Sequence, residues 1–273
     1  MLRLFLLPFL LLLAGAVQAG PDAQESRLLK LMGTDELLDV MREEGMEHAA
    51  QLEEDYLEGD GGAVWRKVAA DVYDPERLGG VFRDAFAGRL SEPALAASLE
   101  FFGTDLGQRV IALEISARSA LRSPDIEAES ASRVEDLRRD DGIRLDQIDR
   151  FVEINDLIES NVAGALNANF AFYRAMNEGG AFPYDLSESE MLGDVWSQEE
   201  EMRRETTDWI YSYLTLAYQP LGDDELERYI EFSATDAGQQ LNRAIFEAFD
   251  VMYRDVSARL GKGLAGFIRS EKL

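Results

Sequence analysis

Cysteine is absent from the 273 residues, and histidine occurs once, as His48. Without thiols there is no disulfide framework, no thiolate zinc site and no cysteine nucleophile, so stability has to come from packing. Cations are scarce as well, with 27 Lys and Arg against 53 Asp and Glu and a formal net charge of −26. That sign repels phosphate backbones and anionic lipid, which excludes nucleic acid as a partner; a charged partner would be basic. No stretch alternates apolar and polar residues with β-branched enrichment over a useful length, so strands are not expected. The acidic clusters Glu199-Glu200-Glu201, Asp223-Asp224-Glu225 and Asp136 with Asp140 and Asp141 lack the alternate-ligand spacing, central Gly and distal Glu of a calcium loop. They read as solvated helix faces, and no metal or cofactor is assigned.

A long hydrophobic run occurs only at the start of the chain. Arg3 precedes apolar residues from Leu4 to Val17, and Val17-Gln18-Ala19 has small residues where signal peptidase needs them. Residues 1–19 therefore read as a secretory signal cleaved after Ala19. The missing cysteine closes the lipoprotein route, and the run is too short to remain as a membrane span, so no stable membrane insertion is expected after cleavage.

What the chain does have is a nine-residue stretch written twice. Glu100-Phe101-Phe102-Gly103-Thr104-Asp105-Leu106-Gly107-Gln108 returns 131 positions later as Glu231-Phe232-Ser233-Ala234-Thr235-Asp236-Ala237-Gly238-Gln239. Carried backward without a gap, the same offset pairs Leu99 with Ile230, Leu95 with Leu226, Leu90 with Leu221, and Val64-Trp65 with Val195-Trp196. Such self-similarity points to an internal duplication. Leu95, Leu99 and Phe102, like Leu226, Tyr229, Ile230 and Ser233, recur at helical spacing. Thr104-Asp105 and Thr235-Asp236 have the chemistry of a helix start, a hydroxyl that caps and a carboxylate that suits the positive helix end. The stretch predicts a corner between two helices. Gly107 and Gly238 fall in the first turn of the second helix, where glycine costs about 1 kcal/mol relative to alanine unless close approach requires it. Phe101 and Phe232 are expected to pack there as core anchors, and the competing reading, an anion cradled by free amides, is disfavoured by the negative charge.

The pattern of an acidic, Leu-rich helix, Glu-Phe-x-x-Thr-Asp-x-Gly-Gln and another long helix resembles the bacterial family known as domain of unknown function 2059. Arg27-Leu28-Leu29-Lys30-Leu31-Met32 and Asn167-Ala168-Asn169-Phe170 add to the likeness. Asp105 and Asp236 depart from it, standing where that family commonly has proline. The resemblance implies an exported helical protein of the periplasm and carries over no catalytic residue.

The remaining punctuation is helical. Asp22 with Glu25 and Ser187 with Glu190 have capping-box spacing, while Asp74-Pro75 and Ser91-Glu92-Pro93 mark helix starts. The expected organisation is all-α, two tandem multi-helix repeats over residues 20–124 and 145–261 packed as a bundle or short superhelix. Residues 125–144 form a polar linker or helix, and the last helix frays at Gly261-Lys262-Gly263 into a tail over 262–273.

Three functions follow in order. The first is a non-catalytic interaction or envelope-associated protein with a protein or peptide partner. The second is a binder of a small apolar or amphipathic ligand or peptide between the repeats. Its patch would comprise Asn167, Asn169 and Tyr173 in a stretch of small residues, with the aromatics Trp209, Tyr213 and Tyr218. The third is a hydrolase using carboxylates; His48, flanked by Glu47, lacks a visible orienting partner, and no catalytic residue is assigned.

Overall fold

The computed structural model describes residues 21–140 and 142–271, so the signal-peptide reading and Asp141 lie outside the described residues. Among the described residues there are thirteen α-helices and no strand. They are α1 (Pro21–Leu31), α2 (Thr34–Leu57), α3 (Gly62–Val72), α4 (Pro75–Phe86), α5 (Glu92–Phe102), α6 (Asp105–Ala120) and α7 (Pro124–Asp140). There follow α8 (Ile143–Ile154), α9 (Leu157–Glu178), α10 (Glu188–Trp196), α11 (Glu199–Tyr218), α12 (Asp223–Ser233) and α13 (Asp236–Glu271).

The start signals act as their chemistry requires. Asp74 accepts the Arg77 amide at 2.9 Å with Pro75 in the first turn, Ser91 accepts that of Ala94 at 3.4 Å, and Ser187 and Glu190 form a reciprocal capping box. The spacing of Asp22 and Glu25 does something else. Glu25 is buried and its carboxylate accepts the Gly88 amide at 3.0 Å, tying α1 to the turn after α4. Downstream of Ser187 the chain forms two helices, α10 and α11, broken at Ser197-Gln198.

Helix α13 is the spine. Its 36 residues lie along α9 and also meet α2, α3, α4, α5 and α12. One apolar core therefore draws on both stretches of the chain, from Leu28 and Trp65 through Phe151 and Tyr218 to Leu264. The predicted fraying at Gly261 does not occur, because that glycine is where α13 crosses α9: a Cβ on Gly261 would stand 2.6 Å from the Phe172 carbonyl. A Cβ on Gly179 would stand 2.3 Å from that of Ala265. Close approach of two helix backbones recovers the propensity lost at the glycines, and Leu264 and Ala265 beyond them are wholly buried. Residues 262–271 thus continue the helix instead of forming a tail.

The polar segment before the second half is α7, packed on α11 by a single narrow face. Val134 is buried there, and the buried Ser130 hydroxyl donates to the Ser212 carbonyl at 2.6 Å. No helix of the described residues is long and apolar enough to cross a membrane.

Candidate functional site

The two predicted corners are built alike and meet each other. In the first, the Thr104 hydroxyl donates to the Phe101 carbonyl at 2.7 Å and accepts the Gly107 amide at 3.0 Å. In the second, the Thr235 hydroxyl donates to the Phe232 carbonyl at 2.7 Å and accepts the Gly238 amide at 3.1 Å. In each corner the threonine hydroxyl already takes the glycine amide, one of those that an anion cradle would use. A Cβ on Gly107 would lie 2.4 Å from the Phe101 carbonyl oxygen and 2.7 Å from the Phe102 Cα; on Gly238, 2.3 Å from the Phe232 carbonyl oxygen and 2.8 Å from the Ser233 Cα. Backbone cannot step aside as a side-chain tip can, so both positions require glycine.

The glutamines complete each corner. Gln108 Nε2 donates to the Phe102 carbonyl at 2.7 Å and the Leu31 carbonyl at 2.8 Å. Gln239 Nε2 donates to the Ser233 carbonyl at 2.9 Å and the Ile154 carbonyl at 2.8 Å. One amide thus pins the end of the preceding helix to the end of a helix two elements or more upstream, satisfying terminal carbonyls that lack intrahelical partners.

Phe101 and Phe232 are half-buried, unlike the deep anchors expected, because they stack on each other with ring centroids 4.2 Å apart and planes 9° from parallel. They floor a groove of about 750 Å³ between the corners, with Thr104 and Thr235 on its walls and Arg109, Glu225, Arg228 and Glu231 around its rim. Arg109 holds Glu225 with both oxygens, at 2.7 and 3.0 Å, and bonds the Pro220 carbonyl at 2.5 Å. The bond from the Gly222 amide, with Arg109 beside it, lowers the Glu225 carboxyl below its ordinary range. Among the described residues, Glu231 and Asp105 have no ion-pair partner, and Arg228 makes only a 3.4 Å contact to the Asp224 carbonyl. The groove therefore offers an aromatic lining beside two carboxylates outside any ion pair, Asp105 and Glu231, the latter acting on Arg150 at longer range, while Arg228 acts on Glu225.

The second predicted patch does not assemble. Asn167 is exposed and donates to Asp250 of α13 at 2.8 Å, beside a shallow depression of about 390 Å³, and Asn169 is half-buried. Tyr173 stacks on Phe182, and Trp209 stacks on Tyr213 at 5.0 Å. Tyr218 is wholly buried and donates to Glu114 at 2.7 Å, so it can belong to no accessible patch. Helical phase explains part of this: Trp209 and Tyr213, four residues apart, share one face of α11, whereas Tyr218 turns toward Glu114 of α6.

His48 borders a cavity of about 260 Å³ with Tyr73, Tyr253 and Ser257. Burial lowers its pKa, with the Asp55 charge opposing, and among the described residues it makes no hydrogen bond. Glu44 on the same wall is engaged by Arg118 at 2.9 and 2.7 Å, so no free carboxylate orients the imidazole. Among the described residues no group of three or more His, Asp or Glu is placed to hold a metal.

Glu114 was not singled out from the sequence. It stands on the apolar stripe of α6 between the buried Val110 and Ala117, and its carboxyl is sunk between Tyr218 and Tyr229. A carboxylate at core register was the available signal. Compared with known proteins, the chain matches no family model, no curated protein and no solved structure.

Proposed function

We propose that the protein is a non-catalytic binding protein of the bacterial periplasm, and that the groove between its two corners takes a short basic and apolar peptide segment of a partner. The observation that carries this reading is the Phe101–Phe232 stack lying open at the floor of a groove whose rim leaves Asp105 and Glu231 unpaired. An aromatic floor accepts an apolar side chain, and unpaired carboxylates favour a cation beside it. The duplicated corner and the likeness to domain of unknown function 2059 support an origin by tandem duplication within an exported family.

A second reading, a small amphipathic ligand in the same groove, is favoured by its volume, which lies in the range of about 300–1,000 Å³ common for small-molecule sites. Titration of isotope-labelled protein with the peptide Arg-Phe-Arg-Phe, followed by amide NMR shifts, separates the two. The peptide reading expects shifts at Thr104, Gly107, Thr235 and Gly238 that weaken with salt and vanish in the Phe101→Ala, Phe232→Ala double variant. Equal response to Glu-Phe-Glu-Phe, or shifts spread over the whole surface, would reject it. Salt-independent shifts with an uncharged amphiphile such as octyl glucoside, and none with the basic peptide, would favour the second.

A further inference from the structure

Glu114 is a half-buried acidic residue whose carboxyl lies among buried tyrosines. Tyr218, on α11, is wholly buried and donates to it at 2.7 Å; the hydroxyl of the buried Tyr229, on α12, also reaches it. Among the described residues no cation forms an ion pair with it. Arg118, one turn further along α6, gives its Nε and Nη2 to Glu44 of α2, and Nη2 also donates to the Tyr253 hydroxyl of α13 at 3.4 Å. Tyr213 approaches from α11, and it feels both Glu114 and Arg118. Glu43 and Glu47 of α2 are held by Arg122, and the acids of α5, Glu92 and Glu100, are exposed. The groups facing Glu114 are therefore hydroxyls, which suit either form of the carboxyl, within an apolar shell that suits only the neutral one.

The shell leads directly to the groove. The Tyr229 ring stacks on Phe101 with centroids 5.6 Å apart and planes 15° from parallel, and it also meets Phe151 at 5.0 Å. Phe101 in turn stacks on Phe232. One ring thus separates the carboxyl from the groove floor, and α12, which carries Tyr229, also carries Phe232, Glu231 and Arg228.

We propose that Glu114 is a proton-operated latch on the corner groove: neutral, it sits closed among Tyr213, Tyr218 and Tyr229, and ionised, it draws in water and loosens the seat of Tyr229, and with it α12, beside α6. The closed form presents the stacked floor; the loosened form does not hold Phe101 and Phe232 in register. Burial pushes the carboxyl up to about 7, more than the tyrosine hydrogen bonds lower it. The sign follows: a carboxyl raised in the closed form favours closure at low pH, and that preference fades as pH rises from its ordinary value of 4.5 and is gone above about 7. Its consequence for binding rests on the groove being the working site; the latch itself does not.

Amide hydrogen exchange of the free protein at pH 5, 6, 7 and 8, corrected for intrinsic exchange, tests it without any ligand. Protection of the α12 and corner amides is expected to fall with pH by about tenfold per unit at its steepest, flattening above pH 7. In Glu114→Gln it should not vary. Unchanged protection in the natural protein, or the same fall in Glu114→Gln, would overturn the latch. Should that variant not fold, carboxyl carbon NMR of the natural protein and of Tyr218→Phe decides. A Glu114 midpoint near 7 that moves higher when the Tyr218 donor is removed supports the proposal, and a midpoint near 4.5 sinks it. Peptide titration at pH 5 alone tests the groove: a latch without peptide binding leaves this inference standing and removes the binding reading.

Discussion

Helices α6 and α13 leave their corners in one register but carry different chemistry. Val110, Ala117 and Leu121 are buried after the first corner, and Leu241, Ala248 and Met252, at the same distances after the second, are buried too. Where α6 then has Glu114 and Arg118, α13 has Ile245 and Phe249. The apolar pair shows that this register can be held without charge, so the acid and the arginine of α6 exceed what packing asks. Upstream of the corners the comparison shifts. Gln108 reaches a carbonyl 77 residues earlier and Gln239 one 85 residues earlier. Both target helices, α1 and α8, end just before a left-handed residue, Gly33 at φ 61° and Asp156 at φ 49°. The longer span fits α11, which has 20 residues against 12 in α4. Val64-Trp65 and Val195-Trp196 are consequently not equivalent: Trp65 is 1% exposed and Trp196 63%.

The largest effect tests that inequality. Trp65 fills the core and donates to the Ala49 carbonyl at 2.7 Å, so Trp65→Ala should lose about 3–5 kcal/mol in urea denaturation. Trp196→Ala should stay within about 0.5 kcal/mol. Comparable losses would restore the gap-free pairing and refute the shift. Next comes pH. With its carboxyl at about 7 when folded and 4.5 otherwise, Glu114 should make the protein less stable at pH 8 than at pH 5, by at most about 2–3 kcal/mol. Glu114→Leu, which copies the apolar character of Ile245, should flatten that part of the profile. A profile unchanged by the substitution would mean the two helices differ in name only.

The alanine test of the corner glycines is smaller. Gly107→Ala and Gly238→Ala each force a Cβ against a carbonyl and should cost about 1–3 kcal/mol, nearly equally. Gly80→Ala, on α4 with nothing within 4 Å, should gain up to about 1 kcal/mol. A cost at only one corner would break their likeness.

The corners were legible because their causes are local. Thr and Gly, with one of the two bonds of each Gln, act within eight residues, so their spelling specifies the bend, and Asp74-Pro75 or Ser187 with Glu190 specify helix starts in the same way. Tertiary matters were not. Gly261 reads as a helix breaker until Phe172 is known to lie across it, and Glu25 reads as a cap until Gly88 arrives from 63 residues away. Tyr218 looked available to a ligand because nothing in α11 alone reveals that α6 supplies Glu114. The groove was invisible for a related reason: each corner could be read singly, but their face-to-face meeting is a long-range fact.

That meeting gives the smallest and most specific prediction. If Phe101 and Phe232 act only as separate hydrophobic residues, the stability losses of Phe101→Ala and Phe232→Ala will add in the double variant. Rings stacked at 4.2 Å should instead couple, with the double variant losing about 0.5–1.5 kcal/mol less than the sum. Half-burial keeps each single loss below that of a core phenylalanine, so the coupling should be a sizeable fraction of either. The cycle should be run at pH 5, where the latch is closed, and again at pH 8. Coupling present at both would mean that the two corners hold together whatever the state of Glu114. Coupling confined to pH 5 would make their contact the part of the molecule that the carboxyl controls.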